Sequence, residues 1–183
     1  MQNTEQYRLI SLAKNGDEYA ISSLYDIHCQ DIFRFLYYRT GDHYIAEDLT
    51  SEVFIQMIRS LHKYNLDSGS FTSWLYTIAR HLSIDHYRKT KSRPEQAITE
   101  DFISTESGPE DTNDKTQLQN QLISRIKELP KEYRELIALR FVSQLSIHET
   151  AITLGKTIDS VKGMQYRALE VLREKMKLWK EEI

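Results

Sequence analysis

Cysteine, proline and glycine are scarce in this sequence of 183 residues, which holds one, three and six of them. Few positions therefore break a helix, and this favours long helices over a sheet of short strands. The single cysteine, Cys29, cannot form an internal disulfide. No apolar run approaches the roughly 18–20 residues that cross a bilayer, and the N-terminus lacks the pattern of a signal peptide. These absences predict a protein of the reducing cytoplasm.

Charge of either sign is present, but it is segregated along the chain. The net charge of −3 divides into −5 over residues 1–58, +5 over 59–94, −7 over 95–114 and +4 over 115–183. Two basic segments are therefore separated by an acidic one. A basic segment can bind phosphates even when the whole chain is acidic.

Apolar residues at spacings of three and four predict helices along most of the chain. In the first half the predicted helices cover 5–23 with a break at 15–17, then 18–40, 43–64 and 72–89. Residues 95–114 show no apolar period, and the composition of this acidic stretch is typical of a flexible linker. Helical spacing then resumes, with Pro130 at the first position of a helix. We predict an all-α fold with two small helical domains, 1–94 and 117–183, joined by an acidic linker, 95–116.

The stretch from residue 145 to 168 has the pattern of a helix-turn-helix. Ser146 and Glu149 have the spacing of a capping box, and Gly155 suits the positive φ of a tight turn. A small core between the two helices is expected from Leu154, Ile158 and Val161. In such a motif the second helix reads the major groove of DNA. An antiparallel helical hairpin without a nucleic-acid role would show the same pattern.

A second candidate surface lies between residues 64 and 93, where aromatic and basic side chains alternate. Aromatic rings stack on unpaired bases for about 1–3 kcal/mol each, while cations hold the phosphates. Phe71 and Trp74 could stack in this way, with Arg80, Arg88 and Lys89 on the strand. The alternative is that both aromatic residues belong to the core and the basic residues form a solvated face.

Four blocks of this sequence, taken in order, are similar to those of a known family. They are 44–54 (YIAEDLTSEVF), 71–80 (FTSWLYTIAR) with 85–89 (DHYRK), 129–134 (LPKEYR), and the helix-turn-helix ending in YRA at 166–168. The chain resembles a bacterial RNA polymerase sigma factor of the extracytoplasmic-function group. The likeness covers nearly all of the chain except the linker and the ends.

The resemblance implies sigma region two over 1–94 and region four over 117–183, with core RNA polymerase and promoter DNA as partners. The implied polymerase contacts are Asp48, Leu49, Glu52 and Phe54. The implied contacts with single-stranded promoter DNA are Asn65, Asp67, Ser70, Phe71, Arg80 and Arg88. The implied contacts with duplex promoter DNA are Ser160, Lys162, Gly163, Gln165, Tyr166 and Arg167.

The resemblance further implies an anti-sigma partner, no small-molecule substrate, no cofactor and no catalysis. It also suggests that the acidic linker follows the RNA-exit path of the polymerase as a mimic of nucleic-acid charge. An enzyme is disfavoured by the residues themselves, because His81 and Asp85 lack a well-spaced third metal ligand and no glycine-rich phosphate loop is present.

Two departures from the family pattern affect DNA recognition. Gly163 and Met164 stand where Ser-Arg is common, so an arginine that could contact DNA is missing. Gly163 costs about 1 kcal/mol relative to alanine inside a helix, but it lets the backbone approach DNA. His81 replaces a usual asparagine. These departures leave the promoter sequence without a prediction.

The function that the resemblance implies is promoter-specific initiation of transcription for a stress or envelope regulon. The alternative is a stand-alone helix-turn-helix regulator or an adaptor that never joins polymerase.

Overall fold

The computed structural model describes residues 2–65, 70–91, 126 and 128–181, and all regular structure in these ranges is helical. The predicted all-α class is confirmed. The N-terminal bundle contains α1 (Gln2–Lys14), α2 (Glu18–Thr40), α3 (His43–Ser60), a 3₁₀ turn (Leu61–Lys63) and α4 (Phe71–Lys91). The C-terminal bundle contains α5 (Lys131–Ile137), a π-helical turn (Ala138–Val142), α6 (Ile147–Leu154) and α7 (Ile158–Glu181). The linker 95–116 lies outside the described residues.

Short polar signals set the helix boundaries of the N-terminal bundle. Asp17 Oδ1 accepts a hydrogen bond from the Ala20 amide at 2.8 Å, so α2 starts just after the predicted break. Gly41 ends α2 with a φ of 69°, a left-handed conformation that glycine adopts without strain. Asp42 Oδ1 then accepts from the Ile45 amide at 2.9 Å and caps α3. The predicted turn between α2 and α3 is confirmed.

Two predicted boundaries differ slightly from the structure. The helix expected over 43–64 ends at Ser60, and the chain tightens into the 3₁₀ turn before Tyr64. Pro130 is the N-cap of α5 and has extended backbone angles, so the helix begins one residue later than expected. The carbonyl of Pro130 accepts hydrogen bonds from the Tyr133 and Arg134 amides. Pro130 therefore lies just before the first turn of this helix and accepts its first hydrogen bonds.

Each bundle buries its own apolar stripe. Fully buried side chains of the N-terminal core include Leu24, Phe35, Leu36, Val53, Met57 and Leu75. The C-terminal core is built from Ile126, Leu136, Ile137, Ala151, Val161, Met164 and Ala168. Ile158, expected in the small core of the helix-turn-helix, is 41% exposed instead, and Phe141 is 51% exposed. Phe141 lies in the π-helical turn, whose wider spacing rotates it off the α5 face, and Ile158 is the first residue of α7.

The two bundles pack directly against each other. Ala138, Leu139 and Leu145 of the C-terminal half belong to the same buried cluster as the N-terminal core. In the opposite direction, Tyr38 of α2 packs against the C-terminal core. Helices α4 and α6 also lie side by side. The sequence predicted two tethered domains but carried no sign of this interface.

None of the helices in the described ranges is both long enough and apolar enough to span a membrane.

Candidate nucleic-acid and polymerase interfaces

The predicted helix-turn-helix is present, and the predicted residues set the ends of its first helix. Ser146 Oγ accepts from the Glu149 amide at 3.1 Å, and Glu149 Oε2 accepts from the Ser146 amide at 2.9 Å. This reciprocal pair is the predicted capping box at the start of α6. Gly155 ends α6 with a φ of 63°, so the left-handed turn is also as predicted. The chain then enters α7, the helix for which the sequence predicts contact with duplex DNA.

Helix α7 has one buried face and one exposed face. Val161, Met164 and Ala168 point into the C-terminal core. On the outside, Tyr166 is 69% exposed, and Lys162 is exposed with its Nζ 3.6 Å from Asp159. The exposed face therefore presents an aromatic ring and a cation, with the packed core behind them to hold the helix in position.

The other predicted duplex contacts lie on or beside this exposed face. Ser160 and Arg167 are exposed, and Gly163 is half-buried. A Cβ atom at Gly163 would lie 3.4 Å from Nη1 of Arg167, so this arginine folds back over the glycine. Gln165 is half-buried, and its Oε1 accepts a hydrogen bond from Arg140 Nε at 2.8 Å.

The structure corrects the prediction that an arginine at position 164 would contact DNA. Met164 is only 4% exposed and packs in the C-terminal core. Its neighbour Gly163 is the one of the pair that reaches the exposed side. The absence of an arginine at 164 therefore concerns core packing and does not remove a side chain from the exposed face of α7.

The residues expected to capture single-stranded DNA are in very different environments. Phe71 is 2% exposed, and its ring centroid lies 5.5 Å from that of Tyr64 and 5.6 Å from that of Trp74. Phe71 is thus a core residue here, and Trp74 is partly buried against the same cluster. Asn65 is exposed, whereas Asp67 lies outside the described residues.

Ser70 begins α4 and also contacts the other bundle. Its Oγ accepts from the Ser73 amide at 3.1 Å, as an N-cap does, and donates to Glu149 Oε1 at 2.7 Å. Burial alone would raise the pKa of Glu149. Hydrogen bonds from Ser70 and Ser146 outweigh that effect and hold the pKa below its ordinary value of 4.5. The carboxylate of Glu149 therefore serves both the capping box and the contact between bundles.

The two predicted arginines of α4 also differ. Arg80 donates from Nε to Glu135 Oε1 at 2.9 Å, and its side chain is 23% exposed. Arg88 is exposed, with Nη1 3.9 Å from Asp85 Oδ1. The same Glu135 oxygen accepts from Nη1 of Arg39 at 2.5 Å. One carboxylate of the C-terminal bundle thus joins two arginines of the N-terminal bundle.

The predicted polymerase-binding helix, α3, has an acidic edge. Asp48 is exposed and Glu52 is half-buried, whereas Leu49 and Phe54 face the N-terminal core. The ring of Phe54 lies 4.7 Å from that of Tyr25 on α2. Between these two helices runs an apolar surface groove whose lining includes Ile21, Tyr25, Phe54, Met57 and Ile58.

Comparison with known proteins places both bundles in one family. The Sigma-70 region 2 family matches residues 24–93, and the Sigma-70 region 4 family matches residues 119–172. The ECF RNA polymerase sigma factor SigX of Bacillus subtilis is 33% identical over 166 residues, which are 87% of this chain and 85% of SigX. The chain belongs to the ECF family of RNA polymerase sigma factors. The resemblance seen in the sequence is confirmed.

Another relative and one solved structure agree with this assignment. The ECF sigma factor BldN of Streptomyces coelicolor is 35% identical over 166 residues, which are 90% of this chain but 63% of BldN. CnrH, solved in complex with the cytosolic domain of CnrY, shares the fold with a TM-score of 0.71 at 20% identity. That alignment covers 93% of this chain and 96% of CnrH. Sigma factors are not a class of enzymes.

In this sigma factor, sequence reasoning missed Arg39, Glu135 and Glu149 as residues of the region between the bundles. Glu135 is 96 positions from Arg39 and 55 from Arg80. No local pattern links residues so far apart. The only local signal was that Glu149 belongs to a capping box, which predicts a helix start and nothing about a second partner.

Proposed function

We propose that this ECF sigma factor binds core RNA polymerase and directs it to promoters, using residues 1–94 and 117–183 as two DNA-contacting domains. In this proposal α7 reads the duplex upstream element, while α4 and the loop before it hold the melted strand. The chain acts in the cytoplasm, without catalysis or a cofactor. The segment 95–116 connects the domains and runs toward the RNA-exit path.

The single observation that carries the duplex proposal is the division of α7 into two faces. A buried face of Val161 and Met164 fixes the helix, and Lys162, Tyr166 and Arg167 stand outside. Arginine and lysine side chains on such a helix contact guanine edges or phosphates in the major groove. Ser160, Gly163 and Gln165 complete the proposed surface.

We assign polymerase binding to the exposed edge of α3 and the groove beside it. Asp48 and Glu52 supply negative charge, and Tyr25 and Ile58 supply adjoining exposed apolar area. A charged edge next to an apolar groove favours a partner helix that combines basic and apolar side chains. Leu49 and Phe54 support this surface from within, since they are buried.

The melted strand is assigned to α4 with its preceding loop. Arg80 and Arg88 would hold phosphates, Ser70 with Asn65 and Asp67 would surround an unpaired base, and Phe71 would position that loop from the core. Stacking on Phe71 itself is not part of the proposal, because its ring is buried.

Reconstituted transcription tests the proposal. Purified full-length chain is added to core polymerase, and run-off products are collected from a random promoter library. We expect enrichment of a two-part promoter, and D48N/E52Q should weaken the association with core polymerase. E5Q, which removes one exposed acid outside α3, is the control and should leave this association unchanged. Binding of duplex DNA without any transcription would favour the rival function, a stand-alone helix-turn-helix regulator or an adaptor.

A protein partner that silences this sigma factor is part of the proposal. The solved complex of CnrH with the cytosolic domain of CnrY supports it by analogy. We propose a stress or envelope regulon, as expected for an ECF sigma factor. Transcript profiling after controlled expression of the full chain would identify the genes concerned, and a set unrelated to the envelope or to stress would contradict the proposal.

A further inference from the structure

Two arginines of the N-terminal bundle meet at one anion. Arg39, near the end of α2, donates from Nη1 to Glu135 Oε1 at 2.5 Å. Arg80, in α4, donates to the same oxygen at 2.9 Å, and its Nη2 lies 3.5 Å from Oε2. Two guanidinium groups repel each other in a partly buried place, so their approach requires an anion between them. Glu135 of the C-terminal bundle supplies that anion.

The N-terminal bundle holds Arg39 in place without help from Glu135. Arg39 Nε donates to Ser83 Oγ at 2.8 Å, and its guanidinium lies 5.5 Å from the centre of the Phe35 ring. Both partners belong to the N-terminal bundle. Burial lowers the pKa of Arg39 and Glu135 raises it, as expected for a cation that is sheltered and paired. The position of Arg39 therefore does not depend on Glu135, and this arginine stays available to an anion when the C-terminal bundle moves away.

The surface around this site is the one assigned above to the melted strand. Glu135 covers Arg80, and the Ser70–Glu149 hydrogen bond closes the start of the same helix. Near the other end of α4, Lys131 Nζ lies 5.1 Å from the centre of the Tyr87 ring. The C-terminal bundle thus covers the assigned strand-binding helix along much of its length.

We propose that Arg39 and Arg80 together bind one backbone phosphate of the unpaired promoter strand, and that Glu135 occupies this phosphate site in the closed chain. The proposal rests on the assignment of α4 to the melted strand. Arginine offers the same fork of donors to carboxylates and to phosphates, so one site accepts either anion. Packing of the two bundles and binding of the strand therefore exclude each other.

The free chain consequently binds single strands through a minor, open population. The apparent dissociation constant is the intrinsic one divided by the open fraction. Removing the charge of Glu135 raises that fraction and also frees the arginine pair. The intact protein without polymerase should therefore bind single-stranded DNA more tightly when Glu135 loses its charge.

The first experiment measures binding of a fluorescent random-sequence single-stranded DNA 12-mer by the full-length chain, using anisotropy at several salt concentrations. E135Q is expected to bind about tenfold more tightly than the wild type, because the open fraction rises. E132Q makes the same charge change at an exposed site of α5 and should bind as the wild type does. Circular dichroism checks that each variant keeps its helices.

A second variant opens the interface by another route. Thr153 is buried and its Oγ1 donates to the Ser73 carbonyl at 3.3 Å, so T153Q inserts a longer neutral side chain between α6 and α4. T153Q leaves all three residues of the anion site unchanged. It should raise single-strand affinity as E135Q does, and this keeps the test available if E135Q fails to fold.

The salt dependence tests the role of Arg39 itself. In the E135Q chain, R39Q should weaken binding and reduce the slope of log K against log salt by about 0.7, the value for one lost phosphate contact on a single strand. A purely structural Arg39 would leave that slope unchanged. An unchanged slope, or no gain in affinity for either E135Q or T153Q, would overturn the proposal. Failure of transcription with wild-type chain would instead count against the proposed function.

Discussion

Ser70 donates a hydrogen bond to the carboxylate of Glu149 at 2.7 Å, although 79 positions separate the two residues. Ser70 caps α4 of the N-terminal bundle, and Glu149 belongs to the capping box of α6 in the C-terminal bundle. One hydrogen bond thereby links the residues that begin two helices in different bundles. Together with the pairing of Arg39 and Arg80 on Glu135, this contact links the two bundles.

The coupling between Ser70 and Glu149 can be measured with a double-mutant cycle. S70A and E149A each remove a cap as well as the contact, but the cap losses cancel in the cycle. We expect a coupling free energy of about 1.5–3 kcal/mol, because the acceptor is charged. Urea unfolding of the four full-length proteins provides the values. Additive effects of the two substitutions would show that the contact contributes nothing to stability.

Acid should weaken the closed chain through Glu149. Its folded pKa lies below the ordinary 4.5, so the folded state favours the ionised form. The resulting stabilisation is complete above the ordinary pKa and is lost as the pH falls through the folded value. Thermal unfolding from pH 7 to pH 3 should therefore show a smaller decline for E149Q than for the wild type. E132Q should keep the wild-type profile, and identical profiles for all three proteins would contradict this role of Glu149.

Replacing Gly163 with alanine should stabilise α7. Glycine costs about 1 kcal/mol relative to alanine inside a helix. The added Cβ would meet only the guanidinium of Arg167 at 3.4 Å, the end of a flexible side chain that can shift. Thermal unfolding should thus show a gain of up to about 1 kcal/mol. If the backbone at 163 must approach DNA closely, the same variant will lose promoter affinity. A loss of stability would show that the Arg167 side chain cannot shift to make room for the added Cβ.

Met164 and Tyr166 lie close together in α7, but their replacement by alanine should have different effects. Y166A removes an exposed side chain and should change stability by less than about 0.5 kcal/mol, while it lowers duplex promoter binding. M164A empties a core position and should cost about 2–5 kcal/mol of unfolding free energy. Chemical denaturation and duplex binding, measured on both variants, separate the two effects. Equal losses of stability would contradict the assigned faces of the helix.

Much of the fold could be predicted because its signals are local. Asp42, Ser146 and Gly155 act on backbone groups within a few residues, so their chemistry alone sets where helices begin and end. The spacing of apolar residues likewise predicts that the segments of α3 and α7 are helical. The change of helix type after α5 could not be predicted, since a π-helical turn leaves no clear mark in the order of residues.

The sequence by itself therefore determined an all-α sigma factor of two helical parts and the helix-turn-helix. Only the tertiary structure decided that the two parts close on each other, that Phe71 is a core residue, and that Arg80 is covered. The physical reason is distance along the chain. Glu135 reaches Arg39 and Arg80 through packing of separate bundles, and the pairing of charges on distant helices follows from how those bundles dock.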